Sequence, residues 1–179
     1  MIETERLIIR AWRDEDRAVY LATCNTEVVT ANLGGPASIE DIDAGLGRIR
    51  KSQEDNGFCF WALERKADAA FLGYCGLKET NLLGTPVAND VEVGWRLRED
   101  AWGQGYATEA AAAALDWAWS NLSVDRVVSF TIPANLASQR VMERIGMRRR
   151  EDLDFAHPSF PSDHQLSIHI AYAIDRPLA

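Results

Sequence analysis

A single α/β domain built on a mixed, mostly antiparallel sheet is the fold class this sequence predicts, and three observations predict it. The chain has 179 residues, enough for one ordinary core and too few for two. It is 47% hydrophobic and 26% charged, the balance of a globular protein. Its strand-like and helix-like segments alternate irregularly: strand, two helices, three strands, helix, strand, helix, two strands. That order fits neither a doubly wound sheet nor a barrel. Six to seven strands flanked by about four helices are expected.

The elements follow in order. Arg6 to Trp12 reads as a strand, and Asp14 to Asn25 as a helix with an acidic first turn, the charge its dipole favours. A second helix is expected from Ser38 to Asp55: Ser38 and Asp41 have capping-box spacing, and Gly57 stands just past the end. Gly45 and Gly47 weaken its middle. Phe58 to Leu63 and Phe71 to Lys78 form a hairpin around the polar turn at 65–68. From Asp90 to Leu97 the chain alternates, with Val91, Val93, Trp95 and Leu97 on one face and Glu92, Gly94 and Arg96 on the other. An alanine-rich helix, Tyr106 to Leu122, has side chains small enough to lie close against a sheet. Arg126 to Ile132 is a strand stopped by Pro133, and Leu136 to Ile145 a helix closed by Gly146. Met147 to Ala156 and Leu166 to Ile174 are the last two strands, around a loop holding His157 and His164.

Composition narrows the function classes. A net charge of -8 has the wrong sign for a nucleic-acid or anionic-membrane partner and favours a cationic or amine-bearing one. Every apolar stretch is broken by charge before the ~20 residues that a spanning helix needs. The acidic start, Met1 to Arg6, lacks the profile of a secretory signal, so a cytoplasmic location is expected. Cys24, Cys59 and Cys75 are odd in number, widely spaced and set among apolar residues, which predicts reduced core thiols with neither a disulfide framework nor a metal site.

The chemistry concentrates in Trp102-Gly103-Gln104-Gly105-Tyr106-Ala107-Thr108-Glu109, between a strand and a helix. Two glycines let the backbone turn sharply and converge its N–H groups, and the helix that follows adds the positive end of its dipole. Such a loop can hold a pyrophosphate without a basic side chain. It lacks the Lys-Ser/Thr of a nucleotide P-loop and the third glycine of a dinucleotide fold. A tight turn with no ligand is the plainer alternative. Thirty residues on, Asn135 to Met147 puts Ser138, Val141, Met142 and Ile145 on one helical face, with Asn135 as the N-cap.

Together these segments resemble the GNAT superfamily of N-acetyltransferases, and most of all its RimJ/RimL-like branch. That branch shows a strand similar to Val91-Glu92-Val93-Gly94-Trp95, then W-G-Q-G-Y-A-T-E-A as at 102–110, then N-x-x-S-x-R-V-M-E-x-x-G-M as at 135–147. The resemblance spans nearly the whole chain. It implies acetyl-CoA as cosubstrate, with no metal. It also implies that the backbone of Gly103, Gln104, Gly105, Tyr106, Ala107 and Thr108 holds the pyrophosphate. Arg96 and Leu97 would pair with the pantetheine arm, Asn135 would face the cofactor, and the central strands would splay apart beside the loop. The acceptor it implies is an amine, foremost a protein or peptide N-terminus, with a polyamine or aminoglycoside as the alternative. A homodimer is compatible with it.

Two departures stand out. Trp102 takes the place of a Gln or Arg found in many relatives, and Met142 that of a Tyr that protonates the departing thiolate. Ser138, one turn earlier, is the nearest replacement, unless it is a Ser packed at the first turn or water supplies the proton. Direct attack of a neutral amine on the thioester needs a base, because alkylamines are protonated at neutral pH. Glu92 is the candidate, against the alternative of a solvated carboxylate on an alternating strand. Glu109 is explained by the helix dipole. The acceptor site is expected among the first two helices, the loop at 32–36 and the tail loop with His157 and His164. A missing Tyr also leaves open a non-catalytic acetyl-CoA sensor.

Overall fold

The computed structural model describes residues 1–177, so Leu178 and Ala179, inside the domain expected over 1–179, lie outside the described residues. Strands β1 (Ile2–Glu3), β2 (Leu7–Arg10), β3 (Phe60–Arg65), β4 (Phe71–Glu79), β5 (Val91–Leu97), β6 (Arg126–Thr131), β7 (Arg148–Arg149), β8 (Phe155–Ala156) and β9 (Ile168–Asp175) form the sheet. Helices α1 (Asp16–Thr23), α2 (Glu27–Thr30), α3 (Ile39–Asn56), α4 (Tyr106–Asn121) and α5 (Leu136–Arg144) flank it. The spatial order is β1-β2-β3-β4-β5-β6-β9-β7, with β8 also on β9. Each neighbouring pair is antiparallel except β5 and β6, which are parallel and joined through α4. The mixed α/β class expected from the sequence is the one observed.

The strand and helix counts exceed the expectation because three strands are two residues long and α2 is a single turn. Thr26 creates that turn: its side chain accepts from Val29 N at 3.3 Å. Ser38 does cap α3, accepting from Asp41 N, and Gly57 ends it at φ 79°. The tail strand expected over 147–156 is a correction: it is split into β7 and β8 by a helical turn at 151–153. Arg149 lies opposite Tyr172 and Phe155 opposite His169, so six residues on one side span three on the other. Leu153 turns into the core there, and Asp154 Oδ1 accepts from Ala171 N at 3.0 Å, taking the place of a ladder carbonyl.

The sheet has two differently covered faces. Cys75, Leu77, Val91, Val93 and Leu97 pack against α4 through Ala110, Ala111, Ala114 and Ala118, whose side chains let the helix lie close. On the opposite face Ala62, Phe71 and Tyr74 meet Tyr20 of α1, Cys24 just past its end and Ile42 of α3. A buried ion network fastens α1 down: Arg10 donates to Asp16 at 2.7 Å and to Glu64 at 2.8 Å. The three cysteines are buried and free. Burial pushes the Cys24 thiol up to about 11 and that of Cys59 up to about 12, which makes them packing groups.

Candidate functional site

The sheet forks at one place. β5 and β6 pair only at Val91 with Val127 and Glu92 with Val128, while β5 continues to Leu97 along β4, and β6 continues to Thr131 along β9. Past Glu92 the facing edges of the two strands carry no ladder. Glu92 stands at the branch point, and the loop that ends β5 lies at the far end of the opening.

That loop is a cradle of open donors. Gly103 has φ 72° and Gly105, at the N-cap of α4, has φ 82°, both in the left-handed region where a side chain is strained. Gly105 offers no side-chain cap. The first backbone bond of α4 is Glu109 N to Gly105 O, and among the described residues none of the N–H groups of residues 103–108 has a protein acceptor. Unpaired donors at a helix start attract an anion. Side chains hold the loop from outside: Trp102 donates its indole N–H to Leu97 O at 2.9 Å, and Gln104 donates Nε2 to Asp100 O at 2.8 Å. The Trp102 bond takes up the Leu97 carbonyl, and the Arg96 side chain points away from the loop, donating to the Tyr20 hydroxyl at 2.5 Å.

Arg6, Thr4 and Glu109 form a clasp that sequence reasoning missed. Arg6 pairs with Glu109 at 2.6 Å, donates to Gln104 O at 2.9 Å and lies 4.6 Å from the centre of the Tyr106 ring. Burial pushes the Glu109 carboxyl up, yet hydrogen bonds from the Thr4 hydroxyl, at 2.6 Å, and from Arg6 outweigh it and hold the group below the usual glutamate range. The turn between β1 and β2 thereby fixes the loop's position. Sequence alone offered only the helix-dipole explanation of Glu109, since its partners are about a hundred residues away.

On α5, Asn135 caps the helix: Oδ1 accepts from Ser138 N, and Nδ2 donates to Thr131 Oγ1 at 3.0 Å and to Ser138 Oγ at 3.1 Å. Both amide hydrogens are thus in use. Ser138 accepts at its hydroxyl and keeps its own proton free for donation. Met142 is 1% exposed, core packing one turn further on.

Glu92 is not solvated: only 9% of it is exposed. It faces Lys78, its cross-strand partner on β4, whose Nζ lies 3.0 Å from Oε2. The approach lacks hydrogen-bond alignment, so Oε2 is buried with a lone pair unused. The carboxylate raises the Lys78 pKa above the usual lysine value. Lys78 Nζ also lies 5.5 Å from the centre of the Phe60 ring. Gly94 leaves the space for this ring, because a Cβ there would fall 2.9 Å from Phe60 Cζ.

The tail loop closes the same side. His157 and His169 have ring centres 4.9 Å apart, and His169 is stacked on Phe155 at 5.5 Å. Burial lowers the pKa of both, helped by Lys78 at His157 and by His157 at His169, so both are neutral at pH 7. His169 Nδ1 is buried without a partner. His164 stacks on Phe160 at 5.0 Å, away from Glu92's partner set. The loop at 32–36 does reach the tail: a Cβ on Gly34 would lie 3.5 Å from Leu166. Lys78, Phe60 and His169 were missed by the sequence reading. Alternation along β4, which puts Tyr74, Gly76 and Lys78 on one face, was the available signal. Among the described residues no group of His, Cys, Asp and Glu could hold a metal ion, and no helix is long and apolar enough to cross a membrane.

Comparison with known proteins gives consistent matches. The family model of an acetyltransferase (GNAT) domain matches residues 6–148. The uncharacterized N-acetyltransferase YnaD of Bacillus subtilis is 31% identical over 154 residues, covering 83% of this chain and 82% of its own. An acetyltransferase structure from Agrobacterium tumefaciens aligns with a TM-score of 0.78 at 26% identity, over 97% of this chain and 92% of that one. Two structures at 16% identity share the fold. One is a spermidine N-acetyltransferase of Vibrio cholerae in complex with CoA and spermine, with a TM-score of 0.73 and 97% of each chain covered. The other is a ribosomal-protein-S5-alanine acetyltransferase of Vibrio fischeri, with a TM-score of 0.71, covering 97% of this chain and 95% of that one.

Proposed function

The chain belongs to the GNAT acetyltransferase family and is an acetyl-CoA-dependent N-acetyltransferase, and on that premise we propose that it acetylates the α-amine of a protein or peptide N-terminus, as a RimJ/RimL-like enzyme acting through one domain. The observation that carries the site assignment is the run of open N–H groups at 103–108 beside the β5–β6 fork. The residues fit the cosubstrate. Six donors at the positive end of α4 suit a pyrophosphate, and the edge of β5 that β6 leaves beyond Glu92, toward Arg96 and Leu97, suits the amide-bearing pantetheine arm, with the Leu97 carbonyl already held by Trp102. Asn135 stands at the same opening. Acetyl-CoA supplies there a thioester carbonyl open to amine attack.

The protein's own groups do the rest. Glu92, at the branch point with an unused lone pair on Oε2, takes the proton of the incoming ammonium. Ser138, whose hydroxyl proton is free, gives a proton to the departing sulfur in place of the Tyr that Met142 displaces. Neutral His157 and His169, with Phe155 and Phe160, wall the acceptor side against water. A polyamine is the second reading, favoured by Lys78: a cation already rests between Glu92 and the Phe60 ring.

Thiol release from acetyl-CoA across N-terminal peptides, polyamines and aminoglycosides tests this. Peptides turning over fastest is the expected result. Faster polyamine turnover replaces the acceptor, and stoichiometric acetyl-CoA binding without any turnover points to a sensor.

A further inference from the structure

The chain is sparing with lysine. Of its 19 basic residues only Lys51, Lys66 and Lys78 are lysines, the other 16 being arginine. Lys51 pairs with Asp55 on the outer face of α3, and Lys66 with Glu3 near the N-terminus. Lys78 alone reaches the fork. Its Nζ sits 3.0 Å from Glu92 Oε2 and over the Phe60 ring, and its side chain keeps 48% of its surface open. A nucleophile must lie within hydrogen-bond reach of the base that takes its proton. Among the described residues Lys78 is the lysine that meets this condition for Glu92, so it occupies the place an acceptor amine would take.

We propose that Lys78 is itself an acceptor: the enzyme acetylates its own Lys78 side chain when no external amine displaces it from Glu92. This rests on the function proposed above. Lys78 Nζ loses one proton to Glu92, its lone pair forms the N–C bond to the acetyl carbon of acetyl-CoA, the C–S bond breaks, and the second proton lost by the nitrogen balances the one taken up by the departing sulfur, so that CoA leaves as the thiol and Glu92 returns its proton to solvent. The product is a neutral amide that no longer forms an ion pair with Glu92. The self-reaction modifies each molecule once and consumes one acetyl-CoA.

Two labelling reactions, each followed by peptide mass mapping of all three lysines, test this. With acetic anhydride and no acetyl-CoA, Lys51, the most exposed lysine, should react first and Lys78 should lag, because Glu92 holds its ammonium. With acetyl-CoA the order should invert, Lys78 gaining one acetyl group about tenfold faster than Lys51. Glu92→Gln should abolish the inversion while leaving Lys51 unaffected. An added acceptor amine should slow the modification by competition. Thiol release to added amines with Lys78 unmodified, or all three lysines modified at equal rates in both reactions, overturns the inference and leaves the acetyltransferase reading intact. No acetyl-CoA binding at all brings down both.

Discussion

The two sides of the fork are built differently. The side proposed for the cosubstrate is a local backbone object: the six consecutive residues 103–108, two of them left-handed glycines, present open N–H groups that need no particular side chain. The side proposed for the acceptor is assembled from side chains on β3, β4, β5, β8 and β9, brought together only by strand register. Backbone chemistry survives sequence change and is readable from a short motif. Side-chain chemistry sets the acceptor, and it is readable only after folding. Substitutions should therefore separate the two sides cleanly.

The largest effect is expected at Glu92. Glu92→Gln should lower kcat by about a hundredfold or more, the lower range for loss of a general base, while calorimetry finds acetyl-CoA affinity unchanged. A matching loss of affinity would mean the two sides are not separable. Gly105→Val should act the opposite way. A β-branched residue at φ 82° carries about 1–2 kcal/mol of strain, and its Cβ would lie 3.4 Å from Arg6 Nη2. Acetyl-CoA binding should weaken about tenfold, with kcat at saturation nearly kept. Ser138→Ala should reduce kcat about tenfold, below the general-acid range because water can replace the hydroxyl, again without changing affinity.

The smallest effect concerns the clasp. Glu109→Gln should cost about 1 kcal/mol of stability at pH 7, as expected for charge-assisted hydrogen bonds to a half-exposed arginine. Since the Glu109 carboxyl is held below its ordinary value of 4.5, its contribution is complete above that pH. It fades as pH falls through the folded-state value. Thermal unfolding of wild type and variant should converge in that acid window, and a constant difference down to full protonation would show that the contribution is packing and not charge.

What was legible in the sequence follows the same division. The glycine loop, the alternation that put Glu92 opposite Val91 and Val93, and the Ser38 and Asn135 caps are short-range patterns, and each appears in the structure as an element of the expected kind. The tail was not legible. Nothing local announces that Asp154 takes over a ladder position, so an unbroken strand was the natural reading. The Arg6–Glu109 clasp and the Lys78–Glu92 pair were hidden for another reason. Their partners meet through tertiary contact and cross-strand register, and each charge alone looks like an ordinary solvated side chain.

The central claim, a backbone cradle for the cosubstrate, is tested most directly by titrating the 15N-labelled protein with CoA and following backbone amide resonances. The amides of residues 103–108 should shift together and saturate at one equivalent, as donors gaining a phosphate acceptor do. CoA bound at saturation with those six resonances unmoved would contradict the account.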